Sequence, residues 1–411
     1  MSRPRVLVCA YVGDGTSGGT QTVISGLATG LAALGDVGMD IAWFTRQGSD
    51  DWLRDILPKG AEVVHARRLN TAVRAGGFLA RRVGALSEES GLGSMWFPGR
   101  FARGGSLRPE RMDCDLVHFV TQGTFFTGPV PFIYQPHDLQ HEHFPQYFSR
   151  QDVAMRRLRY GANIRRARST VVGSDHIARD VERVYPRRGG EIAVIPLAPS
   201  ELPAPDAEDR RWAGTLPDSF ALYPAAAWPH KNHEVLFRAL ALLQSHGIRI
   251  PLVLTGATAG SVDLSTLACE HGIDDLVRHL GFVTPSQLSA LYEKSRLTVI
   301  PTLYEAGSFP MFEAFSKGSP VVASAVCSLP SQASGAAILI DPGNEYELAD
   351  RLKQVWSDDS LRCVLRQAGL RRAGEFTWPS TATGYVAAYR RALCLPPTES
   401  DIAWQANHAR F

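Results

Sequence analysis

Two glutamates separated by seven residues mark the most chemically suggestive stretch of this 411-residue chain: Pro301-Thr-Leu-Tyr-Glu305-Ala-Gly307-Ser308-Phe309-Pro-Met-Phe-Glu313-Ala. An apolar run leads through a small-residue turn into a helical pattern, which puts Glu305 in the turn and Glu313 in the opening turns of the helix. Both then face the crevice at the carboxyl edge of a sheet, where open α/β sheets bind ligands. Carboxylates there can accept hydrogen bonds from sugar or ribose hydroxyls. Free N–H groups from Gly307 to Met311 can hold diphosphate oxygens. Glu313 could instead sit where it does only to favour the helix dipole, which would leave Glu305 without a reason.

A second segment, Tyr223-Pro-Ala-Ala-Ala-Trp-Pro-His230-Lys231-Asn232-His233, joins a strand to a helix. Asn232 reads as the N-cap, so Lys231 would direct its ammonium into the same crevice as the helix end. Near the start of the chain, Gly13-Asp-Gly15-Thr-Ser-Gly18-Gly19-Thr20 follows the first apolar run and precedes a helix. Such a turn lets backbone N–H groups approach a phosphate. Its G-x-G-x-x-G form raises a nicotinamide site, but Trp43-Phe44-Thr45-Arg46 puts no acid at the end of the second strand to hold a ribose. The peptide His137-Asp138-Leu-Gln-His141-Glu142-His143 is rich in ligand types, and His137 and His141 could share a helical face around a metal. It follows a strand and precedes Phe144-Pro145, so a strand end and loop is the favoured reading. Asp113-Cys-Asp115 has a D-x-D form but precedes its strand, which suits a helix-to-strand turn.

The elements that must hold these residues alternate strand and helix throughout, as βαβ units in parallel sheets do. Strands are expected at 5–12, 39–45, 61–66, 115–120, 131–137, 169–174 and 192–197, then at 220–227, 250–256, 277–283, 297–302, 320–324 and 336–340. Helical periodicity fills 21–34, 70–83, 153–166 and 175–184 in the first half. Thr284-Pro285 with Gln287 matches a capping box with proline at the first helical position, and Asn344 with Glu347 resembles one. The proline-rich stretch 196–206 reads as a linker. Residues 84–111 break the pattern and read as a long loop or insertion. The expected organisation is an N-terminal Rossmann-like domain over 1–197, a second over 198–377, and a final segment, 378–411, whose helix returns to the first domain.

Composition narrows the class. With 45% apolar and 20% charged residues the chain is globular, and 43 basic against 41 acidic residues leave no global field to collect nucleic acid. Only Lys59, Lys231, Lys294, Lys317 and Lys353 among the basic residues are lysine; the rest are arginine. Six scattered cysteines without a C-x-x-C pair read as reduced thiols, and no apolar run approaches the roughly 18 residues of a membrane span. A cytoplasmic protein is expected. Arginines at 150–168 and 74–111, the latter among Phe78, Trp96, Phe97 and Phe101, could form a surface that meets anionic lipid or a phosphorylated acceptor. A solvated face is the plain alternative.

Taken together, these residues resemble the GT4 family of retaining glycosyltransferases, of the GT-B fold. The resemblance rests on Glu305-x7-Glu313 with Gly318-Ser-Pro-Val-Val after it, His230-Lys231-Asn232, the Gly18-Gly19 loop and His137-Asp138, in the family's order. It implies an α/β architecture of two facing Rossmann-like domains with an interdomain cleft. Lys231 would neutralise the donor diphosphate, Glu305 would contact the donor sugar, and Glu313 would hold the ribose. Backbone at Gly281-Phe282-Val283 would hold the base, and His137 would lie near the transferred sugar. The His-Asp peptide is similar to loops in mannosyl- and rhamnosyltransferase-like members, which suggests a mannose-like hexose or deoxyhexose. One departure stands out: many members carry an arginine six residues before the lysine, and here that position is Ala225. The implied partners are a nucleotide sugar and a hydroxyl acceptor, with no metal or other cofactor and no nucleic acid. Peripheral contact with the inner face of a membrane would fit the arginine surfaces. The other readings are an NADP-linked oxidoreductase, a GT-B epimerase or phosphorylase, and a non-catalytic partner subunit on the same frame.

Overall fold

The computed structural model describes residues 3–12, 18–46, 51–66, 113–124, 127–186, 188–257 and 262–408. The expected helix at 70–83, the stretch 84–111 and the arginines at 74–111 lie outside them. Two compact units emerge, one formed by Met1–Leu197 with Trp378–Phe411 and the other by Ala198–Thr377.

The first unit is built on a seven-stranded sheet in the order β3-β2-β1-β4-β5-β6-β7. Its strands are β1 Arg5–Cys9, β2 Asp40–Arg46, β3 Glu62–Ala66, β4 Leu116–Phe119, β5 Phe132–Tyr134, β6 Ser169–Val172 and β7 Glu191–Val194. Every pairing is parallel. Successive residues of β1, which point to opposite faces, are all buried from Val6 to Cys9. That is the mark of a parallel sheet covered on both sides, and it explains why the strands read as continuous apolar runs. The second unit has a six-stranded parallel sheet, β10-β9-β8-β11-β12-β13. Its strands are β8 Ala221–Pro224, β9 Leu252–Thr255, β10 Val277–His279, β11 Leu297–Ile300, β12 Val321–Ser324 and β13 Ala337–Ile340. Strand order reverses between β1 and β4 in one sheet and between β8 and β11 in the other. These are the switch points at which open α/β sheets bind ligands.

Within the first unit, the helix Trp378–Ala392 packs along the helix Gly19–Leu34. Glycines at 26 and 30 make this possible. A Cβ on Gly26 would stand 1.9 Å from the Trp378 ring, and one on Gly30 would stand 2.3 Å from the Trp378 carbonyl oxygen. Polar anchors fix the register: Thr381 Oγ1 donates to Pro196 O at 2.8 Å, and Tyr385 Oη donates to Gln135 Oε1 at 3.0 Å.

Local chemistry sets most boundaries. Thr284 and Gln287 form the expected reciprocal capping box ahead of the helix Pro285–Lys294. Asn344 accepts from the Glu347 N–H at 3.0 Å, but the Glu347 carboxylate turns to the Asp341 N–H instead of closing a box. The strand expected to reach His137 stops at Tyr134, and Gln140–His143 forms a single helical turn where a loop was expected. The proline-rich 196–206 is without regular structure, yet it is not a free tether. Lys317 Nζ donates to Leu202 O at 2.9 Å, and Asp206 caps the helix Ala207–Ala213.

Candidate functional site

In the second unit, the chain leaves β8 through the single turn Pro229–Lys231 and enters the helix His233–Ser245. Asn232 does not cap that helix as its type suggested. It adopts a left-handed conformation with φ 58°, and its amide donates to Pro301 O at 2.9 Å and Pro342 O at 2.8 Å. It thereby ties the ends of β8, β11 and β13 together. The loop after β11 is fastened to the same turn: Thr302 Oγ1 and the Leu303 N–H both donate to His230 O, at 2.9 and 2.8 Å. Tyr223 Oη donates to Lys231 O at 2.7 Å from beneath.

This scaffolding brings Lys231 and Glu305 together across the switch point. Lys231 Nζ donates to Glu305 Oε2 at 2.7 Å, and the two side chains are 19% and 15% exposed. A half-buried pair of this kind is held because removing either partner leaves the other charge poorly solvated. Burial pushes the neighbouring imidazoles of His230 and His233 down to about 3, with the Lys231 charge adding to the effect, so both are neutral near pH 7.

Glu313 lies in the second turn of the helix Phe309–Ser316, past the first-turn positions that respond most to the helix dipole, so dipole stabilisation does not explain it. It is nearly buried and accepts from Tyr292 Oη at 3.0 Å. Burial raises its carboxyl above the ordinary carboxylate range, opposed by hydrogen bonds from Ser200 and Tyr292. A carboxylate has about four acceptor positions, so room remains for hydroxyls. The helix-start amides are fewer than the sequence suggested. The Ser308 N–H donates to Gln332 Oε1 at 3.0 Å, and the Met311 N–H donates to Ser308 Oγ at 3.3 Å. Pro310 has none, which leaves Gly307 and Phe309 in that stretch. Beyond β10, Gly281 O accepts from the Gly256 N–H at 2.8 Å, and Phe282, just before Val283, is 77% exposed. Ala225 is buried, with its carbonyl carbon 2.9 Å from where a Cβ on Gly256 would stand.

In the first unit, Gly18 precedes the helix Gly19–Leu34 at φ 50° and ψ −130°, a conformation that disfavours any side chain. The preceding glycines at 13 and 15 lie outside the described residues. His137 follows β5 with φ 64°, a strained backbone for a residue bearing Cβ. Its Nε2–H donates to Val120 O at 2.6 Å, and burial lowers its pKa, so Nδ1 of a neutral ring is left as an acceptor. His137 and the Gly18 loop both follow carboxyl ends of strands in the same sheet.

Of the residues in the two metal motifs, His143 and the two aspartates engage other partners. His141 sits buried in the Gln140–His143 turn, which excludes His137 from its face; His143 contacts Asp180 at 2.5 Å. Asp113 and Asp115 both engage Arg5, through its side chain at 3.0 Å and its N–H at 2.7 Å, at the opposite end of β1 from Gly18. Among the described residues no three His, Cys, Asp or Glu side chains are grouped to hold a metal ion. Of the Arg150–Arg168 group, Arg157 pairs with Glu142 at 2.9 Å and Arg156 covers the Phe148 ring at 4.8 Å. Among the described residues no helix is long and apolar enough to cross a membrane.

Two Rossmann-like units, each built on a parallel sheet, are the mark of the GT-B fold. Comparison with known proteins agrees. Residues 17–198 match the family model described as Glycosyltransferase Family 4, and residues 207–372 match that of Glycosyl transferases group 1. The chain belongs to the GT4 family of glycosyltransferases. It is 34% identical to O-antigen chain mannosyltransferase B of Escherichia coli over 48% of this chain, and spans only about half, 51%, of that relative. A D-inositol 3-phosphate glycosyltransferase of Corynebacterium urealyticum is 27% identical, with 96% of each chain aligned. The sucrose-phosphate synthase structure from Thermosynechococcus elongatus superposes with a TM-score of 0.69 at 20% identity, covering 95% of this chain and 100% of that one.

Tyr292, Ser200 and Gln332, which surround the site residues, carry no signal in the sequence, because each contact joins residues far apart in the chain.

Proposed function

We propose that this protein transfers a sugar from a nucleoside diphosphate to a hydroxyl acceptor, with retention of anomeric configuration and without a metal. The observation that carries the reading is the Lys231–Glu305 pair at 2.7 Å, beside the Gly307–Phe309 helix start. As the glycosidic bond breaks, charge grows on the departing diphosphate, and donors already aimed at it lower the barrier. Lys231 and the Gly307 and Phe309 amides are those donors. Sugar hydroxyls engage Glu305, which releases the Lys231 ammonium to the phosphate. Glu313 takes ribose hydroxyls, and the backbone at Phe282 and Val283 takes the base. His137, through Nδ1, accepts from a hydroxyl of the transferred sugar, and the Gly18-Gly19 loop adds backbone donors. The acceptor attacks the face the diphosphate leaves and gives its proton to the departing phosphate, so no covalent enzyme intermediate forms. A mannose-like hexose or deoxyhexose is the donor sugar this reading favours, in keeping with the mannosyltransferase relative.

Lys231→Ala and Glu305→Ala should each reduce transfer by about 10³-fold or more, with unchanged circular dichroism, while wild-type activity survives EDTA. Near-normal turnover in either folded variant would contradict the assigned roles. Loss on EDTA that a divalent ion restores would contradict the metal-free reaction.

A further inference from the structure

Gln332 lies in the short helix Leu329–Ala333 that follows β12. Its Oε1 accepts from the Ser308 N–H at 3.0 Å, and its Nε2 lies 3.6 Å from where a Cβ on Gly307 would stand. The amide therefore faces the Gly307-Ser308 turn, with its oxygen committed and its two N–H donors bonded to nothing among the described residues. The backbone beneath is firmly held. The Gln332 N–H donates to Ser328 O at 2.9 Å, and the buried Arg372 donates to Gln332 O at 2.9 Å and Ser331 O at 2.8 Å. The Ser328 N–H in turn reaches Glu305 O at 3.4 Å. A side chain presented this rigidly needs little reorganisation to meet an anion at the turn.

We propose that Gln332 is a binding residue for the donor diphosphate: Oε1 fixes the Gly307-Ser308 turn while Nε2 donates to a phosphate oxygen held there. The proposal rests on the donor-site reading above and adds a neutral donor beside Lys231 and the helix-start amides.

Two substitutions separate the roles of the two atoms. Gln332→Glu keeps an oxygen for the Ser308 N–H but turns a carboxylate toward the phosphate; Gln332→Ala removes both contacts. Calorimetric binding of GDP, UDP, dTDP and ADP to the full chain identifies the tightest nucleotide, which is then titrated into each variant. Gln332→Glu should bind it about tenfold to a hundredfold more weakly than wild type, and more weakly than Gln332→Ala. If Gln332→Glu binds like wild type, whatever Gln332→Ala does, the amide only shapes the turn and the proposal fails. Wild-type protein that binds none of the four would contradict the donor site itself. Melting temperatures without nucleotide show that each variant folds, and if Gln332→Ala does not, Gln332→Glu against wild type still decides.

Discussion

Lys231 and Glu305 satisfy each other at 2.7 Å, so the cation proposed to meet the diphosphate is held in place and not free in solvent. Each unit also holds neutral buried imidazoles, and that has a measurable consequence. Burial drives His118, His230 and His233 down to about 3, against about 6.5 for an unfolded imidazole. In this window the unfolded chain takes up protons that the native chain refuses. Their contribution to stability is therefore complete above pH 6.5 and is lost as the pH falls toward 3. Each such group gives a slope of roughly 1.4 kcal/mol per pH unit in that range. The melting temperature should fall clearly between pH 7.5 and 5. His118→Gln should flatten the fall for the first unit, even if it lowers stability at pH 7.5 by losing the 2.8 Å contact with Tyr389. A melting temperature that is level across this interval would contradict the neutral, buried state of these rings.

At the scale of elements, the contact of the helix Trp378–Ala392 with the helix Gly19–Leu34 is the clearest mutational target. Gly26→Ala puts a methyl carbon 1.9 Å from a buried indole, so ring and helix must separate, at a cost of about 1–3 kcal/mol or more. Trp378→Ala in the same background should recover part of that loss, because the clash partner is gone. Additive losses in the double variant, read by denaturant unfolding, would show that the two positions do not meet. The strands themselves were legible in the residues: buried parallel strands such as Val6–Cys9 are short apolar runs with few alternatives. Capping residues such as Thr284 and Gln287 likewise act within one turn, so their spacing reveals them. The turn at Gln140–His143 was not legible, since four residues carry too little periodicity. Nor was the role of Asn232, whose bonds to Pro301 O and Pro342 O exist only once the segments after β8, β11 and β13 meet at one edge of the sheet. Glu305, Glu313 and Lys231 stood out by type and position. Tyr292 and Ser200 beside Glu313, and Gln332 beside Ser308, did not, because hydroxyls and amides are common, and only the folded sheet gives these a target.

For the whole molecule, a nearly balanced charge of 43 basic and 41 acidic residues means that recognition of the proposed anionic donor would fall to placed groups and not to a general field. The scarcity of lysine made Lys231 conspicuous, and its position after β8, beside the loop after β11, gives that scarcity a meaning. Membership of the GT4 family and the GT-B fold set the frame, and the proposed chemistry within it rests on the paired residues at the second switch point. The most direct test is a melting-temperature screen of wild type and Lys231→Ala with GDP-, UDP-, dTDP- and ADP-linked sugars, because a ligand that binds the native state stabilises it by mass action. One class of nucleotide sugar should raise the wild-type melting temperature by several degrees in a concentration-dependent way, and Lys231→Ala should lose most of that rise. No stabilisation of wild type by any of the four, or an equal rise in both proteins, would contradict a nucleotide-sugar site built on Lys231.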